Sequence, residues 1–183
     1  MKLIVILSTF TVLLSGCAAM SVEQCKTANW FNVGEKDGAA GNKSHIDKYY
    51  SSCKKANIIP SQNLYEMGYL KGLGAYCQPE NIFYEALEGR GNFRVCPAEK
   101  RESLRHYYQV ASNFYHANSE FNTSQNNLDY YLGKLDSKDL SAKDRDDYKK
   151  KLSDLRSNSS QVRSRYQDAL RNLERFKAEH HLY

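Results

Sequence analysis

The sequence has little that could cross a membrane or interrupt a helix. Its one long apolar run extends from Leu3 to Leu14, and it contains three prolines in 183 residues. A membrane-spanning helix needs about 20 consecutive apolar residues, so this run is too short to span. A short apolar run behind a single positive charge, Lys2, is instead typical of a signal peptide. We therefore expect an exported chain whose mature part is water-soluble.

Runs of like charge are also missing. Lys and Arg total 26, Asp and Glu total 21, and the two signs are interspersed along the chain. This pattern excludes the basic arm of a nucleic-acid-binding protein. The net charge of +5 falls to +4 once Lys2 leaves with the signal peptide. A solvated surface of mixed charge is favoured over one that selects anionic lipid or acidic polymer.

The apolar run ends in a motif that resembles a bacterial lipobox, Leu14-Ser15-Gly16-Cys17. It predicts a signal peptide over residues 1–16, cleavage before Cys17 and acylation of that thiol by fatty acids such as palmitate. Multiple acyl chains would hold the protein stably on a bilayer. By resemblance to enterobacterial-type lipoproteins, Ala18 indicates the outer membrane, with the protein facing the periplasm. The alternative is an ordinary secretory signal, cleaved for example after Ala19.

Four cysteines remain once Cys17 is assigned to lipid: Cys25, Cys53, Cys77 and Cys96. An even number in an exported chain predicts two disulfides in an oxidising compartment. A metal site is disfavoured because no pair has CxxC spacing and histidine is sparse. If the first two helices are antiparallel, Cys25 lies near Cys53, and a short loop brings Cys77 near Cys96. These pairs are favoured over the other two connectivities.

Glycines mark the region that carries these cysteines, which we expect to be a small helical head over residues 17–97. Trp30, Gly34, Gly38 and Gly41 share one helix face, and Leu64, Gly68 and Gly72 repeat the spacing 34 residues later. Glycine is unfavourable inside a helix, so such stripes indicate close approach by a neighbouring backbone. Ser44 with Asp47 predicts a capping box for the intervening helix. The third helix should end by Pro79, with a loop or turn over 80–95.

The head resembles a family of short gammaproteobacterial lipoproteins that is catalogued only as a domain of unknown function. The likeness covers residues 17 to about 115 and depends on spaced Cys, Gly, Tyr and Pro residues. They are Cys25, Trp30, Gly34, Asp37, Gly38, Gly41, Cys53, Pro60, Tyr65, Gly68, Tyr69, Gly72, Tyr76, Cys77, Cys96 and Pro97. The chain departs from the family between its last two cysteines, where Tyr84, Ala86 and Leu87 partly replace glycines. The resemblance implies no activity, cofactor or catalytic residue.

Residues 98–183 show a second pattern, an apolar seam with alternating spacings of four and three residues. The first half of the seam is Tyr107, Ala111, Phe114, Asn118, Phe121, Gln125, Leu128, Leu132 and Leu135. The second half is Tyr148, Leu152, Leu155, Ser159, Val162, Tyr166, Ala169, Leu173 and Phe176. Such seams predict coiled-coil helices. The short break between them, with Ser141 and Asp144 as a second capping box, predicts an antiparallel hairpin.

The predicted fold class is therefore all-α, a disulfide-stapled head followed by a long helical hairpin. Residues whose numbers sum to 280 should face each other across the hairpin. This register places Leu128 opposite Leu152 and Phe121 opposite Ser159. A projecting hairpin is favoured over a bundle folded back on the head or a dimer through the same seams. The oligomeric state stays open.

No catalytic or metal-binding set is recognisable, so we expect no enzyme activity and no cofactor. Asp37 lies among glycines and reads as a surface or capping carboxylate, with a buried acid as the alternative. Tyrosines cluster in the head and fit core packing better than stacking on sugars. The leading hypothesis is a structural or adaptor lipoprotein with an envelope-protein or cell-wall partner. The alternative is a glycan- or peptidoglycan-binding module that uses the tyrosine-rich head.

Overall fold

The computed structural model describes residues 20–183, so the predicted signal peptide and Cys17 lie outside the described part. That part is helical and contains no strand. Its α-helices are α1 (Val22–Thr27), α2 (Trp30–Ala39), α3 (Ile46–Cys53), α4 (Gln62–Tyr76), α5 (Pro79–Leu87), α6 (Ala98–Leu135) and α7 (Ala142–His180). Short 3₁₀ turns occupy Lys54–Ala56 and Phe93–Val95. The predicted all-α class, a stapled head and two long paired helices, is confirmed.

The head is organised around the packing of α2 on α4, and the glycine stripes make this packing possible. A Cβ built on Gly34 would lie 2.0 Å from the carbonyl oxygen of Tyr65. Reciprocally, a Cβ on Gly68 would lie 1.9 Å from the carbonyl oxygen of Phe31. The close backbone approach predicted from the glycine spacing is therefore present, between the two copies of the repeat. The glycine spacing did not say which neighbour approaches, and the structure shows that it is α4.

Gly41 does not extend the stripe, because α2 ends at Ala39. Gly41 instead has a φ of +66°, and a Cβ there would lie 2.1 Å from the ring of Tyr76. Left-handed backbone of this kind favours glycine. The predicted Ser44–Asp47 capping box is wrong as well. His45 occupies the N-cap of α3 and its side chain makes no capping bond.

The expectation of a loop over 80–95 is also wrong, because residues 79–87 form α5. Pro79 is the first residue of this helix. A backbone N–H at that position has no hydrogen-bond partner within the helix, so proline, which lacks the N–H, is tolerated there. One face of α5 is fully buried and carries Ile82, Phe83 and Ala86. Its burial against α6 stabilises a nine-residue helix that would be marginal alone. The turn after it contains Gly89 and Gly91, both with positive φ.

Helices α6 and α7 pair as the predicted antiparallel hairpin. Every predicted seam residue is at least partly buried except Leu132. The Ser141 hydroxyl accepts a hydrogen bond from the backbone N–H of Asp144 at 3.1 Å and donates to the Asp144 carboxylate at 2.7 Å. Ser141 therefore caps α7 as predicted, although the carboxylate bonds the hydroxyl and not the backbone N–H of Ser141. Phe114 meets Tyr166 at a centroid distance of 6.1 Å, as the register predicts. Phe121, expected opposite Ser159, stacks on Tyr166 at 4.8 Å because that ring reaches between two residues of α6.

The base of the hairpin packs against the head, so the core continues across the predicted boundary at residue 97. Leu104 belongs to the cluster that holds Tyr76 and Cys96. Leu173 and Phe176 of α7 belong to the cluster that holds Phe83. Head residues contact α6 as far along as Tyr115, which lies against Gly89. The remaining 20 residues of α6, 116–135, span about 30 Å at 1.5 Å per residue.

The C-terminal residues pack against the head. Leu182 is buried in the same cluster as Phe83 and Phe176. His181 adopts a positive φ that turns the chain back, and the N–H of Leu182 donates to the carbonyl of Lys177 at 2.9 Å. The Tyr84 hydroxyl donates to the carbonyl of Tyr183 at 2.7 Å.

Candidate functional site

Two disulfides hold the head together and join its segments in the favoured pairs. Cys25 of α1 is bonded to Cys53 at the end of α3, with Cα atoms 5.5 Å apart. Cys77 after α4 is bonded to Cys96 before α6, with Cα atoms 5.7 Å apart. Cys25 lies on the short helix α1 and not on α2, so the first disulfide joins α1 to α3. All four cysteine sulfurs of the described residues are in disulfides, so residues 20–183 offer no free thiol as a nucleophile.

Asp37 is the charged residue that the structure buries, at 8% exposure. Its Oδ2 accepts hydrogen bonds from the hydroxyls of Tyr49, at 2.9 Å, and Tyr65, at 2.7 Å. The Nδ1 atom of His45 lies 3.9 Å from the same oxygen. The expectation of a surface or capping carboxylate is therefore wrong. In the sequence Asp37 lies among glycines, which do not predict burial. Its burial results from tyrosines on two other helices.

This network links three helices through one carboxylate oxygen. Asp37 lies on α2, Tyr49 on α3 and Tyr65 on α4. The Tyr65 oxygen also accepts the backbone N–H of His45 at 2.9 Å, which fixes the start of α3. Hydrogen bonds to an ionised group are stronger than neutral ones. The Asp37 network therefore fixes the position of α3 over the packed pair α2 and α4.

The buried tyrosines hold their protons tightly. Desolvation, together with hydrogen bonding to Asp37, raises the pKa of Tyr65 to about 12. Desolvation and the hydrogen bond to Asp37 also raise the pKa of Tyr49, above the ordinary range for a phenol. Burial likewise raises the pKa of Tyr69 and Tyr76. Phenols of this kind remain neutral hydrogen-bond donors near pH 7, as the bonds to Asp37 require.

The tyrosines that could have formed a sugar-stacking platform are largely occupied inside the head. Tyr65 and Tyr76 are buried. The Tyr76 oxygen accepts the N–H of Asn92 at 2.8 Å, and the Tyr69 hydroxyl donates to the carbonyl of Asn42 at 2.7 Å. Rings packed in this way contribute to the core and to the cohesion of the head.

A cleft of about 960 Å³ opens on the outer side of this network, between α1 and α3. Met20, Val22 and Tyr49 supply apolar surface. The polar and charged residues that line it are Ser21, His45, Asp47, Lys48, Ser51, Ser52 and Lys55. Sequence reasoning missed this site, because α1 and α3 are brought together only by the Cys25–Cys53 bond and shared core contacts.

The far end of the hairpin is a second surface of interest. Tyr131 of α6 meets Tyr148 of α7 at a centroid distance of 5.6 Å. The ammonium of Lys151 lies 5.2 Å from the Tyr131 ring and that of Lys134 lies 5.3 Å from the Tyr130 ring. Tyr130 is 54% exposed and Leu132 is 42% exposed. We call Tyr130, Tyr131, Leu132, Tyr148 and their two lysines the hairpin tip.

Other chemistry is limited within residues 20–183. No group of three or more His, Cys, Asp or Glu side chains there is arranged to hold a metal ion. Among the same residues, none of the helices combines the length and the hydropathy that a membrane span requires. The two buried disulfides indicate an extracytoplasmic location, where such bonds form and persist.

Comparisons with known proteins found a family match for part of the chain. No curated protein and no solved structure matches the chain significantly. A family described as "Protein of unknown function (DUF2799)" matches residues 29–113, from the start of α2 into the first half of α6. The match includes the paired glycine stripes, Asp37 and the three cysteines from Cys53 onward. Over residues 29–113 the chain is therefore similar to the DUF2799 family.

Proposed function

We propose that the protein is a non-enzymatic lipoprotein of the bacterial envelope, anchored through Cys17 in the outer membrane and facing the periplasm. The head is the membrane-proximal platform, and the hairpin presents a binding surface to a protein partner or to the cell wall. The lipobox and Ala18 support the anchor and its membrane. The disulfides support the compartment.

The observation that carries the adaptor role is the hairpin tip. It lies beyond the part of α6 that the head contacts, and it exposes an aromatic and an aliphatic side chain together. Tyrosine is enriched in protein interfaces because it combines a large apolar ring with a polar end. The distal seam is less apolar than a folding core requires, since Asn118 and Gln125 replace apolar residues there. A projecting hairpin of this kind functions by binding a partner.

Site-specific crosslinking in intact cells tests this role. A photoreactive residue at position 130 or 132 should give a discrete adduct of constant mass. The same residue at Arg163, exposed in the middle of α7, is the matched control and should give none. Equal adduct patterns at tip and control positions would count against the adaptor function.

The anchor is tested separately by the intact mass of the native protein. We expect a polypeptide that begins at Cys17 and carries acyl chains, recovered with outer membranes. A native protein that retains Met1, or one with an unmodified thiol at position 17 in the soluble fraction, would refute the anchor.

The glycan-binding alternative is less well supported, because the head tyrosines are engaged in the core. Crosslinking and sedimentation with purified cell wall, both applied to a Tyr130→Ala/Leu132→Ala variant, decide between the two. Under the adaptor function, the variant loses the adduct that a photoreactive residue at Lys134 gives in the parent. Under the glycan alternative, it co-sediments with cell wall as well as the parent does.

A further inference from the structure

The cleft between α1 and α3 combines apolar surface with a cationic edge. Met20, Val22 and Tyr49 line it together with Lys48 and Lys55. Lys48 lies on α3, and Lys55 lies in the 3₁₀ turn that directly follows this helix. Within the described residues neither ammonium lies within 4.0 Å of a carboxylate oxygen. Their charges are therefore available to an anionic ligand.

The cleft opens where the chain leads toward the proposed anchor. Met20 lines it, and Met20 follows Cys17 by three positions. A chain extends at most about 3.6 Å per residue, so an acylated Cys17 keeps the cleft within about 11 Å of the bilayer surface. This part of the inference depends on the proposed function, because it assumes that Cys17 is the anchor.

We propose that this cleft binds an anionic phospholipid of the membrane that holds the anchor. The ammonium groups of Lys48 and Lys55 contact the phosphate, and Met20, Val22 and Tyr49 contact the upper part of the acyl chains. The carboxylate of Asp47 also lines the cleft and opposes an anion. The two lysines outnumber it, which leaves the edge net positive. An acyl chain alone would use the apolar surface but would gain nothing from the lysines.

Binding would orient the head as well as tether it. Tyr49 is held by Asp37, which also fixes α3 relative to α2 and α4. A lipid seated against α3 would therefore fix the position of the whole head on the bilayer. Because the head packs against the base of α6 and α7, the hairpin would then point in a constant direction.

Vesicle flotation of the unacylated mature chain tests the proposal. The probe is residues 17–183 with Cys17→Ser, oxidised so that both disulfides form, mixed with vesicles of phosphatidylcholine with or without phosphatidylglycerol. We expect binding to the vesicles with phosphatidylglycerol and much weaker binding to phosphatidylcholine alone. A Lys48→Gln/Lys55→Gln variant should bind about 30-fold more weakly, given roughly 1 kcal/mol per lysine near an anionic surface. Circular dichroism establishes that each variant is folded.

The matched control removes the same charge elsewhere. Lys149→Gln/Lys150→Gln, both exposed on α7, should bind as the parent does. An equal loss in both double variants would mean general charge attraction and would overturn the site. Equal binding to neutral vesicles would overturn headgroup recognition in favour of an acyl occupant, and no binding to either vesicle would overturn the proposal outright. Since this probe has no lipid, its result is independent of whether Cys17 is acylated in cells.

Discussion

Substitution of Gly68 by alanine probes the packing on which the head depends. A Cβ at this position would lie 1.9 Å from the carbonyl oxygen of Phe31 and 2.7 Å from its carbonyl carbon. A carbon and a carbonyl oxygen approach each other to about 3.3 Å even in the closest favourable contacts. The two helices would have to separate by roughly 1.4 Å, because backbone atoms cannot move aside as a flexible side chain does.

That separation loosens the neighbouring contacts at Gly34, Gly38 and Gly72, which have the same close geometry. Overpacking costs typically 1–3 kcal/mol and occasionally more, and this contact is at the severe end. We expect Gly68→Ala to lower the free energy of unfolding by about 3 kcal/mol. For a chain of this size the Tm should fall by roughly 6–12 °C.

Gly74→Ala on the same helix is the matched control. A Cβ there meets no atom within 4 Å, and alanine is favoured over glycine within a helix by about 1 kcal/mol. We expect a slightly raised Tm. Thermal unfolding followed by circular dichroism, with disulfides intact, measures both variants. If Gly68→Ala melts within 2 °C of the parent, the close packing of α2 on α4 is wrong.

Three further predictions concern the Asp37 network and the second disulfide. Asp37→Ala removes two charge-assisted hydrogen bonds and should lower the free energy of unfolding in urea by about 3 kcal/mol. The control Asp154→Ala, at an exposed position of α7, should lower it by under about 0.5 kcal/mol. Similar losses in both variants would contradict the network. The folded-state pKa of Tyr65 is raised to about 12, so its stabilisation is complete below pH 10, the ordinary phenol pKa, and is lost as pH rises through 12. Urea unfolding at stepped pH, with tyrosinate absorbance, should show this loss, and constant stability from pH 9 to 12 would refute it. Cys77→Ser/Cys96→Ser should cost roughly 2–4 kcal/mol, and an unchanged Tm would show that the packing around Leu104 suffices alone.

Much of the helical framework follows from spacing along the chain. The seam of four and three residues predicted α6, α7 and their antiparallel pairing, because helix periodicity is local and a short turn leaves one way to pair. The exception, Leu132, is exposed because Tyr131 turns toward Tyr148 instead. Glycine spacing likewise predicted close backbone approach, since only a residue without a Cβ permits it.

The failures share one cause, which is that they depended on contacts distant in sequence. The stretch 80–95 has glycines and reads as a loop, yet Ile82 and Phe83 gain enough burial against α6 to form α5. Asp37 reads as a surface residue until tyrosines from α3 and α4 reach it. The cleft beside Met20 is invisible in the sequence because its two walls belong to separate helices.

By itself, then, the sequence determined the two long helices and their antiparallel pairing, where the backbone must be free of side chains and which cysteines lie near each other. These are properties of neighbours along the chain, governed by periodicity and short loops. The tertiary structure alone decided that α2 pairs with α4, that Asp37 is buried and that a cleft opens beside the predicted anchor. Those outcomes depend on which surfaces exclude water together, and no local pattern in the chain encodes that choice.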